Sequence, residues 1–121
     1  MDVLVIDDHP LVQETLSAMV RQAIPGAAVH VHGELGAAIT QGMGLSDLRL
    51  ALLDLGLPGY TGIDALLRFR STFPHVRVIV VSAIEDPVTM ERAINAGAAW
   101  YLPKTVKPYA MVAAIKSTAG V

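Results

Sequence analysis

Acidic residues follow two of the apolar runs in this sequence, at the point where each run ends. Val3–Ile6 is followed directly by Asp7 and Asp8, and Ala51–Leu53 is followed directly by Asp54. A lone carboxylate is costly to bury, so we expect each acid to lie at the tip of a buried strand, beside polar or charged partners.

A hydroxyl and an amine occupy similar positions in two other segments. Ser82 follows the apolar run 76–81, which only Arg77 interrupts, and Lys104 follows the segment 99–102. In parallel sheets covered by helices, ligands bind at the carboxyl ends of the strands, where the strand order reverses. The sequence therefore predicts that these two side chains meet the three aspartates at one edge of a sheet.

The predicted cluster has the composition of a phosphoryl-accepting site. Three carboxylates within about 5 Å would repel one another by roughly 3 kcal/mol per pair at an effective dielectric constant near 20. A hard divalent cation relieves this repulsion, and ligands that are all oxygen favour Mg²⁺. Lys104 can hold an anion and Ser82 can donate a hydrogen bond to an oxygen. Asp54 would then be the nucleophile, while the metal and Lys104 stabilise charge on the transferring oxygens.

Apolar runs of strand length alternate with segments of helical spacing along the whole chain. We predict five strands near residues 3–6, 29–31, 48–54, 76–81 and 99–102, and five helices near residues 10–23, 33–45, 62–73, 86–97 and 108–118. The helix over 33–45 should be the weakest because it contains several glycines. Asp86 is predicted to cap the fourth helix, and an acid ahead of Pro10 can cap the first. This order predicts an α/β fold, (βα) five times, with a parallel sheet covered on both faces.

Composition narrows the class of protein. The 121 residues suffice for one domain, 1–121, and 53% hydrophobic against 17% charged residues argues against disorder. The formal net charge of −2 gives no general attraction to nucleic acid, and the absence of cysteine excludes thiolate chemistry. We find no signal peptide and no apolar run long enough to cross a membrane, so we expect a cytoplasmic protein without membrane partners.

Several motifs, in order, resemble the receiver domain of two-component response regulators, the CheY-like fold, over essentially the whole chain. The start and the last strand look most like the NarL/FixJ (LuxR-type) subgroup. The motifs are Val5-Ile6-Asp7-Asp8-His9-Pro10-Leu11-Val12, Leu53-Asp54-Leu55-Gly56-Leu57-Pro58-Gly59 with Gly62, Val80-Val81-Ser82-Ala83, and Ala96-Gly97-Ala98 leading to Tyr101-Leu102-Pro103-Lys104.

The resemblance implies a doubly wound, flavodoxin-like sheet in the order 2-1-3-4-5. It implies that Asp54 is the phosphoacceptor for a phosphohistidine on a sensor histidine kinase. Mg²⁺ would be held by the acidic pair, by Asp54 and by the backbone carbonyl of Gly56. Lys104 would contact the phosphoryl group, and Ser82 and Tyr101 would be the switch residues. Asp7 and Asp8 are the acidic pair of this metal site. The family's mechanism is a shift of the surface formed by helix four, strand five and helix five.

The resemblance leaves competing functions to weigh. A phosphohydrolase of the haloacid-dehalogenase type would need a second acid where Gly56 stands, so we expect no enzyme beyond slow self-dephosphorylation. An unphosphorylated pseudo-receiver is the alternative, and the intact acids and Lys104 argue against it. NarL-like regulators continue into a DNA-binding domain, which this chain lacks; we therefore expect DNA contact and transcription regulation only through an output domain outside these residues.

Four further features are candidates for contacts or ligands. Trp100 stands where small residues are usual, and it is either a core residue or an anchor for a partner. The last helix has no polar face over two turns, so we predict that another subunit or domain covers part of it, which would allow a homodimer. His30 and His32 share one face of an edge strand and lack a third metal ligand. His9 could tune the acidic pair electrostatically, but helix entry explains it more simply. The interface candidates are Trp100, Tyr109, Met111, Val112 and Ile115.

Overall fold

The computed structural model describes residues 1–121, and it contains the five strands and five helices that the sequence predicts. The strands are β1 (Asp2–Ile6), β2 (Ala28–His32), β3 (Leu48–Leu53), β4 (Arg77–Ser82) and β5 (Trp100–Pro103). The helices are α1 (Pro10–Ala23), α2 (Leu35–Gly42), α3 (Asp64–Thr72), α4 (Pro87–Asn95) and α5 (Pro108–Ala119). The boundaries differ from the predicted ones by a few residues at most, except that α2 is shortened to eight residues.

The sheet is wholly parallel, with the strand order β2-β1-β3-β4-β5. This confirms the predicted fold class and the order 2-1-3-4-5. The order reverses between β1 and β3, since β2 lies on the outer side of β1 and the later strands follow β3 outward. The carboxyl ends of β1 and β3 therefore form the switch point at which we expected the site.

Alternating side chains along the central strands fill a separate core on each face of the sheet. Leu4 and Ile6 pack with α2, α3 and α4, whereas Val3 and Val5 pack with α1 and α5. All four side chains are fully buried. Because the two central strands are apolar on both sides, helices must cover both faces, and the polar residues at the strand tips are held by a rigid frame.

The helix starts differ in how they are capped. The Asp86 carboxylate accepts hydrogen bonds from the backbone N–H groups of Val88 and Thr89, each at 3.3 Å, which confirms the predicted cap of α4. The prediction of an acidic cap for α1 is wrong. His9 occupies that N-cap position, and its side chain makes no capping hydrogen bond.

The packing of helix α5 shows that part of the predicted interface is wrong. Met111, Val112 and Ile115 are buried in the chain's own core, against α1 and the sheet, so they are not available to a partner. The helix packs on β3, β4 and α1 together, and this wide buried arc explains an apolar pattern that exceeds one stripe. Tyr109 (74% exposed) and Trp100 (43% exposed) remain on the surface. Trp100 is therefore not a core residue.

His30 and His32 on β2 do not simply point into solvent, since both imidazoles contact other side chains. His30 Nε2 lies 3.0 Å from Asp2 Oδ1, and His30 Nδ1 lies 2.9 Å from Gln41 Nε2. His32 contacts the same glutamine. These contacts join β1, β2 and α2 and account for both imidazoles without a metal. No helix of the fold has both the length and the apolar character that crossing a membrane requires.

Candidate functional site

Backbone pairing sets the positions of the acids at the switch point. Ile6 pairs with Leu53 in the register of β1 and β3, so Asp7 and Asp54 are the next residues of two adjacent strands. The Asp54 N–H donates to the Ile6 carbonyl at 3.0 Å, which extends the ladder by one bond. The two carboxylates therefore lie side by side at the carboxyl ends of β1 and β3, as the sequence predicted.

The hydroxyl and the amine reach the same place from the other side of β3. Ser82 pairs with Pro103 in the register of β4 and β5, and the Lys104 N–H donates to the Ser82 carbonyl at 3.2 Å. Lys104 is therefore the first residue after the last paired position of β4 and β5. Its side chain then has to cross the end of β4 to reach the acids.

Asp54 is the centre of the site and is only 3% exposed. Its Oδ1 accepts hydrogen bonds from the Ser82 hydroxyl at 3.1 Å and from the backbone N–H of Gly56 at 3.0 Å. Its Oδ2 accepts a hydrogen bond from Lys104 Nζ at 3.0 Å. Both oxygens are thus held in fixed directions. A carboxylate oriented in this way does not lose rotational freedom when it reacts.

The acidic pair differs in burial. Asp7 is completely buried; its Oδ1 accepts the backbone N–H of His9 at 2.8 Å, and its Oδ2 lies 2.9 Å from Lys104 Nζ. Asp8 is partly exposed at 31% of its side chain. The buried Asp7 Oδ2 has only the Lys104 ammonium as a partner, and the buried Asp8 Oδ1 has only the His9 imidazole, at 3.2 Å. Oxygens of this kind are where a cation would bind.

Lys104 holds the acids together without a metal. Burial of the ammonium acts to lower its pKa, but the hydrogen bonds and charges of Asp7 and Asp54 outweigh that effect, so the pKa of Lys104 is raised. The side chain, 15% exposed, stays charged at neutral pH. One ammonium thus neutralises part of the charge of three neighbouring carboxylates.

Tyr101 lies beside the site and is half-buried. Its hydroxyl donates to the Ile84 carbonyl at 2.6 Å, two residues beyond Ser82. Burial raises the pKa of Tyr101, and the negative charge of Asp54 adds to this, while a hydrogen bond with Ser82 opposes it. The aromatic ring is therefore connected to the Asp54 cluster through the loop that follows β4.

His9 contacts the acidic pair, a possibility that the sequence raised but ranked below simple helix entry. Its Nδ1 lies 2.9 Å from Asp7 Oδ1 and 3.2 Å from Asp8 Oδ1. The sequence signal was its position directly after the acidic pair. The predicted phosphoryl-site residues are otherwise brought together as expected, with Gly56 contributing its N–H to Asp54; the role of its carbonyl stays a prediction.

The donor set fits a hard divalent cation. Asp7, Asp8, His9 and Asp54 each have a ligand atom within 4.8 Å of the others. Carboxylate oxygens predominate, one ammonium is shared between Asp7 and Asp54, and a divalent charge would relieve the remaining repulsion. The acidic cluster is thus suited to Mg²⁺.

Comparison with known proteins places this geometry in a family. The model of the response regulator receiver domain matches residues 3–116. The glycerol metabolism activator of Pseudomonas putida is 33% identical over 94% of this chain and 52% of its own length. The transcriptional regulatory protein MctR of Rhizobium johnstonii is 34% identical over 98% of this chain and 55% of its own. The chain therefore spans about half the length of these relatives.

Solved structures agree with the sequence relatives. A LuxR-family two-component response regulator from Aurantimonas sp. superposes with a TM-score of 0.83 at 28% identity, covering 98% of this chain and 85% of that one. The beryllofluoride-activated NtrC4 receiver domain dimer has a TM-score of 0.86 at 24% identity, with 98% and 96% covered, and supports the fold alone. From the family match and the sequence relatives, we conclude that this chain belongs to the response regulator receiver domain family.

Proposed function

We propose that Asp54 accepts a phosphoryl group and that this modification controls signalling by the chain. The observation that carries the proposal is the Lys104 ammonium, which hydrogen-bonds Asp54 Oδ2 at 3.0 Å while also lying 2.9 Å from Asp7 Oδ2. A nucleophilic carboxylate, a fixed cation beside it and a neighbouring acidic pair are the parts that phosphoryl transfer requires.

The transfer follows from these positions. One carboxylate oxygen of Asp54 attacks the phosphorus of a phosphohistidine, and the phosphorus–nitrogen bond breaks with its electron pair left on the imidazole. Charge on the phosphoryl oxygens is then met by the Lys104 ammonium and the Ser82 hydroxyl. Both already contact Asp54, so little reorganisation is needed as the group arrives.

We assign the metal ligands to the acidic pair, to Asp54 and to the backbone carbonyl of Gly56. Bound Mg²⁺ would supply positive charge to the transferring phosphoryl oxygens. The chain's own contribution is to hold Asp7 in place, through the His9 N–H, and to keep the Lys104 ammonium in contact with both Asp7 and Asp54. The buried Asp7 cannot turn away from the site.

The response to phosphorylation is assigned to Ser82 and Tyr101. An aspartyl phosphate adds roughly two negative charges and three acceptor oxygens, which compete for the Ser82 hydroxyl. Ser82 Oγ also accepts the Ile84 N–H at 3.3 Å, and Tyr101 bonds the Ile84 carbonyl. A shift of the hydroxyl therefore changes the β4–α4 loop and, through Tyr101, the surface formed by α4, β5 and α5.

The names and lengths of the relatives indicate which partners to expect. MctR is a transcriptional regulatory protein and GacA of Pseudomonas protegens is a response regulator, and both are roughly twice as long as this chain. We infer that this receiver takes its phosphoryl group from a sensor histidine kinase and regulates transcription through an output domain. A homodimer would use the exposed Trp100 and Tyr109 of the α4–β5–α5 surface.

Intact mass after incubation with acetyl phosphate and Mg²⁺ tests the proposal. We expect the mass of one phosphoryl group on the parent protein, lost with EDTA and absent in Asp54→Asn. Asp64→Asn, an exposed acid at the start of α3, is the matched control and should be modified like the parent. Mg²⁺ binding without any adduct would favour the pseudo-receiver instead.

A further inference from the structure

Helix α4 is attached to the rest of the fold mainly at its C-terminal end. Its N-cap residue, Asp86, is exposed and makes its capping contacts within the first turn of the same helix. The one buried residue of the helix is Ala93, in the last turn, and Ala98 just beyond the helix is buried in the same core. The N–H of Ala99 then donates to the Val78 carbonyl at 2.8 Å, so the chain passes from the helix directly into the sheet. The two ends of α4 are therefore held unequally.

Arg70, in the last turn of α3, covers the turn that ends α4. Gly97 has a φ of +101° in that turn, a backbone conformation that residues with a side chain rarely adopt. A Cβ built on Gly97 would lie 2.8 Å from Arg70 Nε and 2.9 Å from Arg70 Cζ, so the guanidinium lies directly against the glycine. Arg70 Nη1 also approaches the Val76 carbonyl, at 3.5 Å, just ahead of β4. One side chain thus joins α3, the end of α4 and the start of β4.

The chemistry of the guanidinium suits this position. The group is flat and weakly hydrated, so it can lie against the backbone of a glycine where a tetrahedral ammonium would fit less well. Its positive charge lies beside the C-terminal end of α4, where the helix dipole is negative. The contact is also remote from the phosphoryl site, because Val76 precedes β4 whereas Asp54 follows β3, at the opposite edge of the sheet. Charge added at Asp54 therefore does not act on Arg70 directly.

We propose that Arg70 makes the C-terminal end of α4 a fixed pivot, so that phosphorylation of Asp54 moves the start of the helix while its end stays in place. The inference rests on the proposed function, in which Ser82 and Tyr101 shift the β4–α4 loop. That loop, residues 83–86, leads directly into the first turn of α4. A helix that is displaced at one end and held at the other rotates about the held end. Arg70 is a positioning residue in this movement and does not contact the reacting atoms.

Amide hydrogen exchange, measured residue by residue with NMR, tests the pivot. The Met90 amide reports on the start of α4, and the amides of Ala96 and Ala98 report on its end, since all three donate hydrogen bonds. Each is compared before and after treatment with acetyl phosphate and Mg²⁺, and intact mass verifies the phosphoryl group. The variant is Arg70→Met. The matched control is Arg68→Met, which changes an exposed arginine of the same helix that contacts the Tyr60 hydroxyl.

In the parent, phosphorylation should change the exchange rate of Met90 about tenfold and those of Ala96 and Ala98 by less than about twofold. Arg70→Met should raise exchange at Ala96 and Ala98 about tenfold before phosphorylation, and phosphorylation should then change exchange at both ends of the helix. Arg68→Met should behave like the parent.

Three results would contradict the inference. Equal changes at both ends of α4 in the phosphorylated parent, or none at either, would overturn the pivot whether or not Arg70→Met folds. Faster exchange throughout Arg70→Met, with the response to phosphorylation still confined to Met90, would give Arg70 a merely structural role. A parent that gains no phosphoryl mass would overturn the proposed function, and this inference with it.

Discussion

Lys104 Nζ lies 3.0 Å from Asp54 Oδ2, although the two residues are 50 positions apart and follow strands that are not neighbours in the sheet. Lys104 extends β5 and Asp54 extends β3, so the lysine side chain spans the end of β4. The length of that side chain, and the short reach of Ser82 from β4, allow three strand tips to act on one carboxylate.

Removing Lys104 should destabilise the protein most when no metal is present. Lys104→Met leaves Asp7 and Asp54 as neighbouring buried carboxylates without their shared cation, which we expect to cost about 3 kcal/mol of unfolding free energy. Millimolar Mg²⁺ should recover part of this loss, because a ligand that binds only the folded state stabilises it. Urea unfolding with and without Mg²⁺ measures both effects.

Lys116→Met is the control for that experiment, since Lys116 lies on the exposed side of α5. It should change stability by no more than about 0.5 kcal/mol in either condition. A loss in Lys104→Met that Mg²⁺ leaves unchanged would show that the lysine matters for packing and not for the charge of the acids.

The ionisation of Tyr101 should occur above pH 10.0, its ordinary value. Burial of the phenol is the main cause, and Asp54 adds to it. A pKa that is higher in the folded than in the unfolded protein gives stability that is complete below pH 10.0 and is lost as pH rises through the folded value. Absorbance of tyrosinate during a pH titration, compared between the parent and Tyr101→Phe, isolates this group. A step below pH 10.0 that Tyr101→Phe removes would contradict the prediction.

The hydrogen bond from Tyr101 to the Ile84 carbonyl should connect phosphorylation to the β4–α4 loop. Tyr101→Phe keeps the ring and removes the hydroxyl, and with it the bond to the Ile84 carbonyl, at an expected cost of about 1 kcal/mol. The loop should then exchange its amide hydrogens faster, and phosphorylation should alter that exchange less than in the parent. Tyr109→Phe, which alters an exposed hydroxyl, serves as the comparison. Identical hydrogen exchange in the two variants would show that the Tyr101 hydroxyl does not connect phosphorylation to the loop.

Most of the fold followed from the sequence because its signals were local. Apolar runs, Pro87 with Asp86 ahead of it, and glycines at the helix ends each reflect nearby backbone chemistry. The clustering of Asp7, Asp54, Ser82 and Lys104 followed as well, since each lies at or just after the end of a strand and parallel strands share an edge; their roles stay predictions. The register that sets Asp7 beside Asp54 needed only the prediction of adjacent strands.

The errors arose where the outcome depended on tertiary packing. The apolar pattern of α5 could not reveal that α1 lies against it, so Met111, Val112 and Ile115 appeared to be available to a partner. His9 could not be placed, because either a cap or a contact with the acids is compatible with its position in the chain. The choice depends on how close Asp8 and Lys104 come to the ring.

Helix α5 should therefore respond differently to truncation on its two sides. Met111→Ala removes a buried side chain from the core and should cost about 2 to 5 kcal/mol of unfolding free energy. Tyr109→Ala removes a side chain that is 74% exposed and should cost less than about 0.5 kcal/mol in the monomer. Thermal or urea unfolding of dilute protein distinguishes them, and similar losses in both variants would show that the helix is oriented differently.

Self-association, by contrast, should depend on Trp100. An exposed tryptophan at the edge strand β5 can bury a large apolar area against a second copy, and such residues dominate binding energy when they do. We expect phosphorylated protein to dimerise and Trp100→Ala to weaken the dimer about tenfold, or 1.4 kcal/mol, without lowering monomer stability. Sedimentation velocity over a concentration series measures this. Met43→Ala, which removes an even more exposed apolar side chain beyond α2 (69% against 43% for Trp100), should leave the dimer unchanged. Equal weakening in both variants would mean that association follows general surface hydrophobicity, and a phosphorylated parent that stays monomeric would exclude this surface as a dimer interface.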